Sequence, residues 1–209
     1  MNRSSLFSVA AVTILAFQLT QAADIDADAR AAAERVAVRT CANCHGPAGH
    51  SSQPKFPVLA GQQASYIVSQ LQAFKLQTRG DPDALGYMWG MAAPLDDGLM
   101  SGLADYYSRQ SAVAGQRDDP ALLARGKDVY ENGDAAHAVP ACVTCHGAGG
   151  SGTEAFPRLA GQHSQYTIKQ MRSFQNNSRS AAAMREIVRG LQHRDIVAVA
   201  AYLQSLGPV

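Results

Sequence analysis

Cys41-Ala42-Asn43-Cys44-His45 and, 101 residues further on, Cys142-Val143-Thr144-Cys145-His146 use all four cysteines of the chain. Residues three apart share a face of one helical turn. In each pentad both thiols can therefore form thioethers to the vinyl groups of one haem, while the following histidine turns its ring onto the iron. Cys41, Cys44 and His45 are expected to hold one covalently bound haem c, and Cys142, Cys145 and His146 a second. Four cysteines could instead make two disulfides or one four-thiolate zinc site. Neither chemistry calls for a histidine directly after each pair, and zinc ribbons set their pairs much closer together.

An internal repeat organises the rest of the chain. Phe56-Pro57-Val58-Leu59-Ala60-Gly61-Gln62 returns as Phe156-Pro157-Arg158-Leu159-Ala160-Gly161-Gln162, and Tyr66, Gln70 and Phe74 return as Tyr166, Gln170 and Phe174, all at an offset of 100. Toward the end of each half the offset becomes 96, where Leu95 matches Leu191, Ala104 matches Ala200 and Tyr106 matches Tyr202. The chain reads as a duplication with domains at 24–110 and 120–209, joined by a polar linker, 111–119, that holds Gly115 and Asp118-Asp119. Helices are predicted over 27–40, 63–76 and 97–109, and again over 120–131, 163–175 and 193–206. The apolar and aromatic residues at 66, 67, 71 and 74 keep helical spacing. No alternating strand pattern occurs, so the expected fold is all-α, with short helices around a haem that furnishes much of a small core.

The repeat also selects the sixth iron ligand. Methionine opposite histidine raises the potential of a haem. Of six methionines, Met1 falls in the leader, while Met171, Met100 and Met91 align with Leu71, Ile196 and Ile187 and read as core filling. Only Met88 and Met184 align with each other, each seven residues before a matched leucine, in a segment expected to cross the haem face freely. Met88 and Met184 are assigned as distal ligands, with Met91 the rival for the first haem. His50, His137, His163 and His193 have no histidine at the matching position and are expected to be exposed polar residues. Pro57 and Pro157 follow the ligating histidines by 12 and 11 residues and could offer their carbonyls to the second imidazole nitrogen. A stiff turn is the simpler alternative.

Arg3, the apolar run from Leu6 to Leu19 and the small residues before Asp24 predict a signal peptide, 1–22, cleaved near Ala22, and hence export to the periplasm. The run is shorter than the ~20 residues of a spanning helix, although a retained anchor is the alternative. Residues 24–115 carry 7 Lys+Arg against 9 Asp+Glu, and residues 116–209 carry 10 against 8. Such balance offers no concentrated basic face for nucleic acid. The small asymmetry could orient the protein toward a charged partner or be ordinary surface scatter.

The pentads, the repeated Phe-Pro-x-Leu-Ala-Gly-Gln, Met88 and Met184, and the endings Ala104-Asp105-Tyr106-Tyr107 and Ala200-Ala201-Tyr202-Leu203 together resemble the dihaem cytochrome c4 family over the whole mature chain. The resemblance implies two class I cytochrome c domains related by an approximate two-fold axis, with haem propionates near each other at the interface. It further implies a monomeric periplasmic carrier, soluble or loosely membrane-associated, that takes electrons from a quinol-oxidising complex and passes them toward a terminal haem-copper oxidase. The family's Leu-Ser-Asp before the last helix is replaced here by Leu95-Asp96-Asp97 and Leu191-Gln192-His193, a difference in helix capping. If histidine and methionine close both irons, no position is open to substrate and the protein is not an enzyme. The alternative is a dihaem redox enzyme, of peroxidase or thiosulfate-oxidising type, with one labile axial ligand.

Overall fold

Each half is built on a crossing between its first and last helices, with a third helix laid beside them. The computed structural model describes residues 27–208; the expected signal peptide lies outside the described residues. In the first half, α1 (Ala27–Val36) runs through a π turn, Ala37–Cys41, into the helical turn Ala42–His45. α2 is Ala64–Lys75, and α3 is Asp97–Ser108. In the second half, α4 (Pro120–Asn132), the turn Val143–His146, α5 (Ser164–Gln175), α6 (Ala182–Arg189) and α7 (His193–Ser205) repeat the arrangement. Among the described residues only isolated bridges occur and no strand, in agreement with the all-α expectation. No described helix is long and apolar enough to cross a membrane.

Local chemistry sets the helix starts. Asp119 Oδ1 accepts from the N–H groups of Ala121 and Leu122 at 3.0 Å each, and Pro120 occupies the first turn, where a missing N–H costs nothing. Asp96 caps α3 by accepting from Leu99 N at 2.8 Å, whereas Gln192 makes no side-chain cap for α7. Aspartate is the better cap, so the second copy begins less firmly.

The helix crossing is close because small residues meet there. A Cβ on Gly102 of α3 would lie 2.6 Å from the Ala33 Cβ of α1, and one on Gly126 of α4 would lie 2.0 Å from the Ala198 carbonyl oxygen of α7. Ala33 and Gly126 share an offset of 93, the same as the helix starts Ala27 and Pro120, while Gly102 and Ala198 share 96. One glycine and one alanine thus form the crossing in both halves, with the roles exchanged between first and last helix. Beneath it Met100, Leu103 and Phe74 pack the first core, and Met171, Phe174, Ile196 and Leu203 the second. Met100 and Met171 are core fillers, as their apolar repeat partners predict.

The halves are clasped by reciprocal bonds. Gln162 accepts from Val58 N and donates to Val58 O, both at 3.0 Å; Gln62 accepts from Arg158 N at 2.9 Å and donates to Arg158 O at 3.0 Å. Gln63 donates to Ser151 O at 3.0 Å, and His163 contacts Ser51 O through Nε2 at the same distance. Every partner is the repeat-mate of another, as an approximate two-fold axis requires. Here one expectation fails: His163 is buried, because its ring takes the place of the Gln63 amide in the second half of the clasp. His50, His137 and His193 are exposed.

Candidate functional site

The Phe-Pro-x-Leu-Ala-Gly-Gln repeat builds one wall of each site, residue by residue. Phe56 and Phe156 stand edge-on to the rings of His45 and His146, with centroids 6.1 and 6.0 Å apart. The carbonyls of Pro57 and Pro157 meet His45 Nδ1 at 2.9 Å and His146 Nδ1 at 3.0 Å. A carbonyl can only accept, so Nδ1 carries the proton and Nε2 is left with its lone pair free. Leu59 and Leu159 donate their N–H to Gly49 O and Gly150 O at 2.9 and 2.8 Å, fastening the wall to the loop after each pentad. The closing glutamines are the clasp described above.

Burial lowers the affinity of both imidazoles for a second proton, with the proline carbonyls working in the opposite direction. Each ring is therefore held neutral. His146 Nε2 is buried and has no hydrogen-bond partner among the described protein atoms. An orphaned buried acceptor of this kind is costly unless something occupies it, and iron is the occupant that the pentad anticipates.

Both histidines face one continuous cavity of about 910 Å³ that spans the two halves. Cys41, Cys44, Met88 and Met184 line it, with the apolar side chains of Ile67, Leu71 and Phe74 from one half and Leu159, Met171 and Phe174 from the other. Its apolar walls and the thiols of Cys41 and Cys44 suit a haem; of the second pentad only His146 borders it, while Cys142 packs against the second core. None of the four cysteines forms a disulfide. Burial pushes the Cys142 thiol up to about 11 and raises Cys41 as well, so both sulfurs are held neutral, unlike the thiolates of a zinc centre. Among the described residues no three His, Cys, Asp or Glu side chains converge as a metal site.

Met88 packs against the first core and Met184 against the second. Met91, expected to fill the core, does not: it borders the cavity and is 53% exposed. The methionine-bearing segments are helical: Met88 ends a π turn, Ala84–Met88, followed by the turn Trp89–Ala92, and Met184 lies in α6. Trp89 donates its indole N–H to Arg79 O at 2.8 Å, which ties the first segment down.

Sequence reasoning passed over Arg79 and Arg179, two buried residues at the same offset of 100, which also line the cavity. The repeat was the available signal, since buried arginines at matched positions need partners.

Comparison with known proteins gives the same answer. The sequence profile of the family described as Cytochrome c matches residues 30–107 and 123–207. The chain is 38% identical over 204 residues to cytochrome c4 of Azotobacter vinelandii, spanning 92% of this chain and 96% of that one. The solved cytochrome c4 of Acidithiobacillus ferrooxidans superposes with a TM-score of 0.76 at 38% identity, covering 79% of this chain and 98% of that one. A thiosulfate dehydrogenase electron acceptor of Thiomonas intermedia is 34% identical over 158 residues, 74% of this chain and 69% of that one. With two pentads, two matched walls and one repeated helical frame, the chain belongs to the cytochrome c4 family of two-domain cytochromes c, electron-transfer proteins with two covalently bound haem c groups.

Proposed function

We propose that the protein is a periplasmic carrier of single electrons between respiratory complexes, taking them from a quinol-oxidising complex and delivering them toward a terminal haem-copper oxidase. In this reading Cys41 and Cys44 would anchor the first haem, with His45 and Met88 holding its iron; Cys142 and Cys145 would anchor the second, with His146 and Met184 holding its iron. Bound there, each haem supplies a one-electron iron couple and no bond-making chemistry. The protein's own residues do the rest. Pro57 and Pro157 hold the imidazole tautomer, Phe56 and Phe156 fix the ring angle, and Met88 and Met184 would supply a sulfur donor to each iron.

The observation that carries this reading is symmetry. Both halves present the same buried imidazole, the same carbonyl contact and a methionine packed into the same core, so neither half is specialised for substrate. The Thiomonas relative's name, an electron acceptor of thiosulfate dehydrogenase, fits the same carrier chemistry with a different donor. The dihaem enzyme is the rival reading.

Reductive titration of the purified holoprotein distinguishes the two. A carrier takes up one electron per haem, gives both back to an oxidised cytochrome partner, and shows no catalytic consumption of peroxide or thiosulfate. Sustained turnover of either substrate by the isolated chain would overturn the proposal.

A further inference from the structure

The two halves meet across a buried polar cluster whose members repeat at an offset of 100, with one exception. The backbones pair antiparallel at Arg79 and Arg179, which are 6% and 7% exposed. Arg79 donates to Gln70 Oε1 at 2.7 Å, Gln170 Oε1 at 2.9 Å and the Tyr166 hydroxyl at 3.2 Å. Arg179 mirrors this, donating to Gln170 Oε1 at 2.7 Å, Gln70 Oε1 at 3.0 Å and the Tyr66 hydroxyl at 2.5 Å. The two guanidiniums lie over Phe74 and Phe174, each 4.7 Å from the ring centre.

The exception is Asp81. It is 1% exposed and accepts from Arg79 Nε at 2.7 Å and from Gln170 Nε2 at 3.3 Å, while the matching position in the second half is Ala181. Burial alone would raise the Asp81 carboxyl, but the charge and hydrogen bond of Arg79, with help from Gln170 and Arg179, bring it below its ordinary range. It is ionised at neutral pH. The other carboxylate of this strap, Asp83, stands nearer the surface between Lys55 and Lys169, so its charge is already matched. Two related guanidiniums thus share one buried carboxylate, and the carboxylate belongs to the first half.

Both arginines, Asp81 and the four glutamine and tyrosine partners line the cavity that both histidines face. The strap from Arg79 to Asp81 leads into the turn that carries Met88, and Trp89 fastens the two together. In a medium of low dielectric, a nearby negative charge favours the more positive, oxidised state of a redox centre. We infer that Asp81 is the positioning residue that makes the two haems inequivalent: by binding Arg79 it withholds positive charge from the first half, giving its haem the lower potential and leaving a single added electron on the second.

This inference rests on the reading that each half holds a haem closed by histidine and methionine. The test is a spectroelectrochemical titration of the intact two-haem protein, with each couple assigned to its half by paramagnetic NMR of the axial methionine protons. Asp81→Asn is expected to raise the couple of the first half and shrink the gap by at least half, with the second couple almost unmoved. Should Asp81→Asn fold poorly, Ala181→Asp supplies the independent arm and is expected to lower the couple of the second half. A gap that neither substitution moves, or an equal movement of both couples, overturns the role of Asp81. Absence of methionine-ligand signals in the unsubstituted protein overturns the ligation reading instead, so the two failures are distinct.

Discussion

His45 and His146, the proposed iron ligands, show how one backbone atom can prepare an imidazole for a metal. Each ring is buried, neutral and tied through Nδ1 to a proline carbonyl, so the remaining nitrogen points its lone pair into the cavity. A proline suits this task because its fixed φ holds the carbonyl steady. In the proposed ligation, replacing Met88 with histidine exchanges a thioether for a better donor to ferric iron. Met88→His is expected to lower the potential of the first centre by a sizeable part of the roughly 0.8 V that axial ligation spans, and Met184→His to do the same for the second. Each should leave the other centre nearly unchanged, and separate potentiometric titrations check this. The pentads were legible in the sequence because they depend on short spacing, and the proline carbonyl contacts because they recur at matched positions. His163 was not: its partner is the carbonyl of Ser51, a contact that exists only once the halves meet.

At the scale of elements, α1 to α5 and α7 were legible from composition, apolar spacing and Pro120, whereas α6, Ala182–Arg189, was not. The π turns before Cys41 and at Met88 were not, since an extra backbone residue in a turn leaves no mark in side-chain periodicity. Nor was the glycine crossing legible. Gly102 and Gly126 lie on different helices of different halves, and the inserted segment 132–139, with its Asp134–Val139 bridge, hides the alignment of Ala33 with Gly126. Gly102→Ala would force its new methyl group against Ala33 and is expected to cost about 1–3 kcal/mol, as overpacking usually does. Adding Ala33→Gly should recover most of that loss, because it recreates the arrangement of the second half. Denaturant titration of the single and double variants measures both effects; an unaffected single variant would mean the helices do not approach as described.

For the whole molecule, the duplication is more than a doubling of sites. Its clasp of Gln62, Gln162, Gln63 and His163 and its central arginine pair join the halves through buried polar groups, each of which would be costly to leave unpaired. Asp81 links this interface to pH. Its folded pKa lies below that of an unfolded carboxyl, so its contribution is complete above the ordinary carboxylate value of about 3.9 and is lost as the pH falls through the lower folded value. Acid unfolding followed by the separation of the halves should show this loss below about pH 4, and Asp81→Asn should flatten that limb while leaving the rest of the profile in place.

In the proposed ligation histidine and methionine close both irons, so the clasped molecule carries charge and leaves a substrate no open position. The visible absorption spectrum of the oxidised holoprotein tests this claim most directly, through the band near its red edge that arises from methionine sulfur bound to ferric iron. The expected result is that band at an intensity for two haems, unaltered on short exposure to cyanide or peroxide. A high-spin component, or a band worth one haem only, would contradict the account.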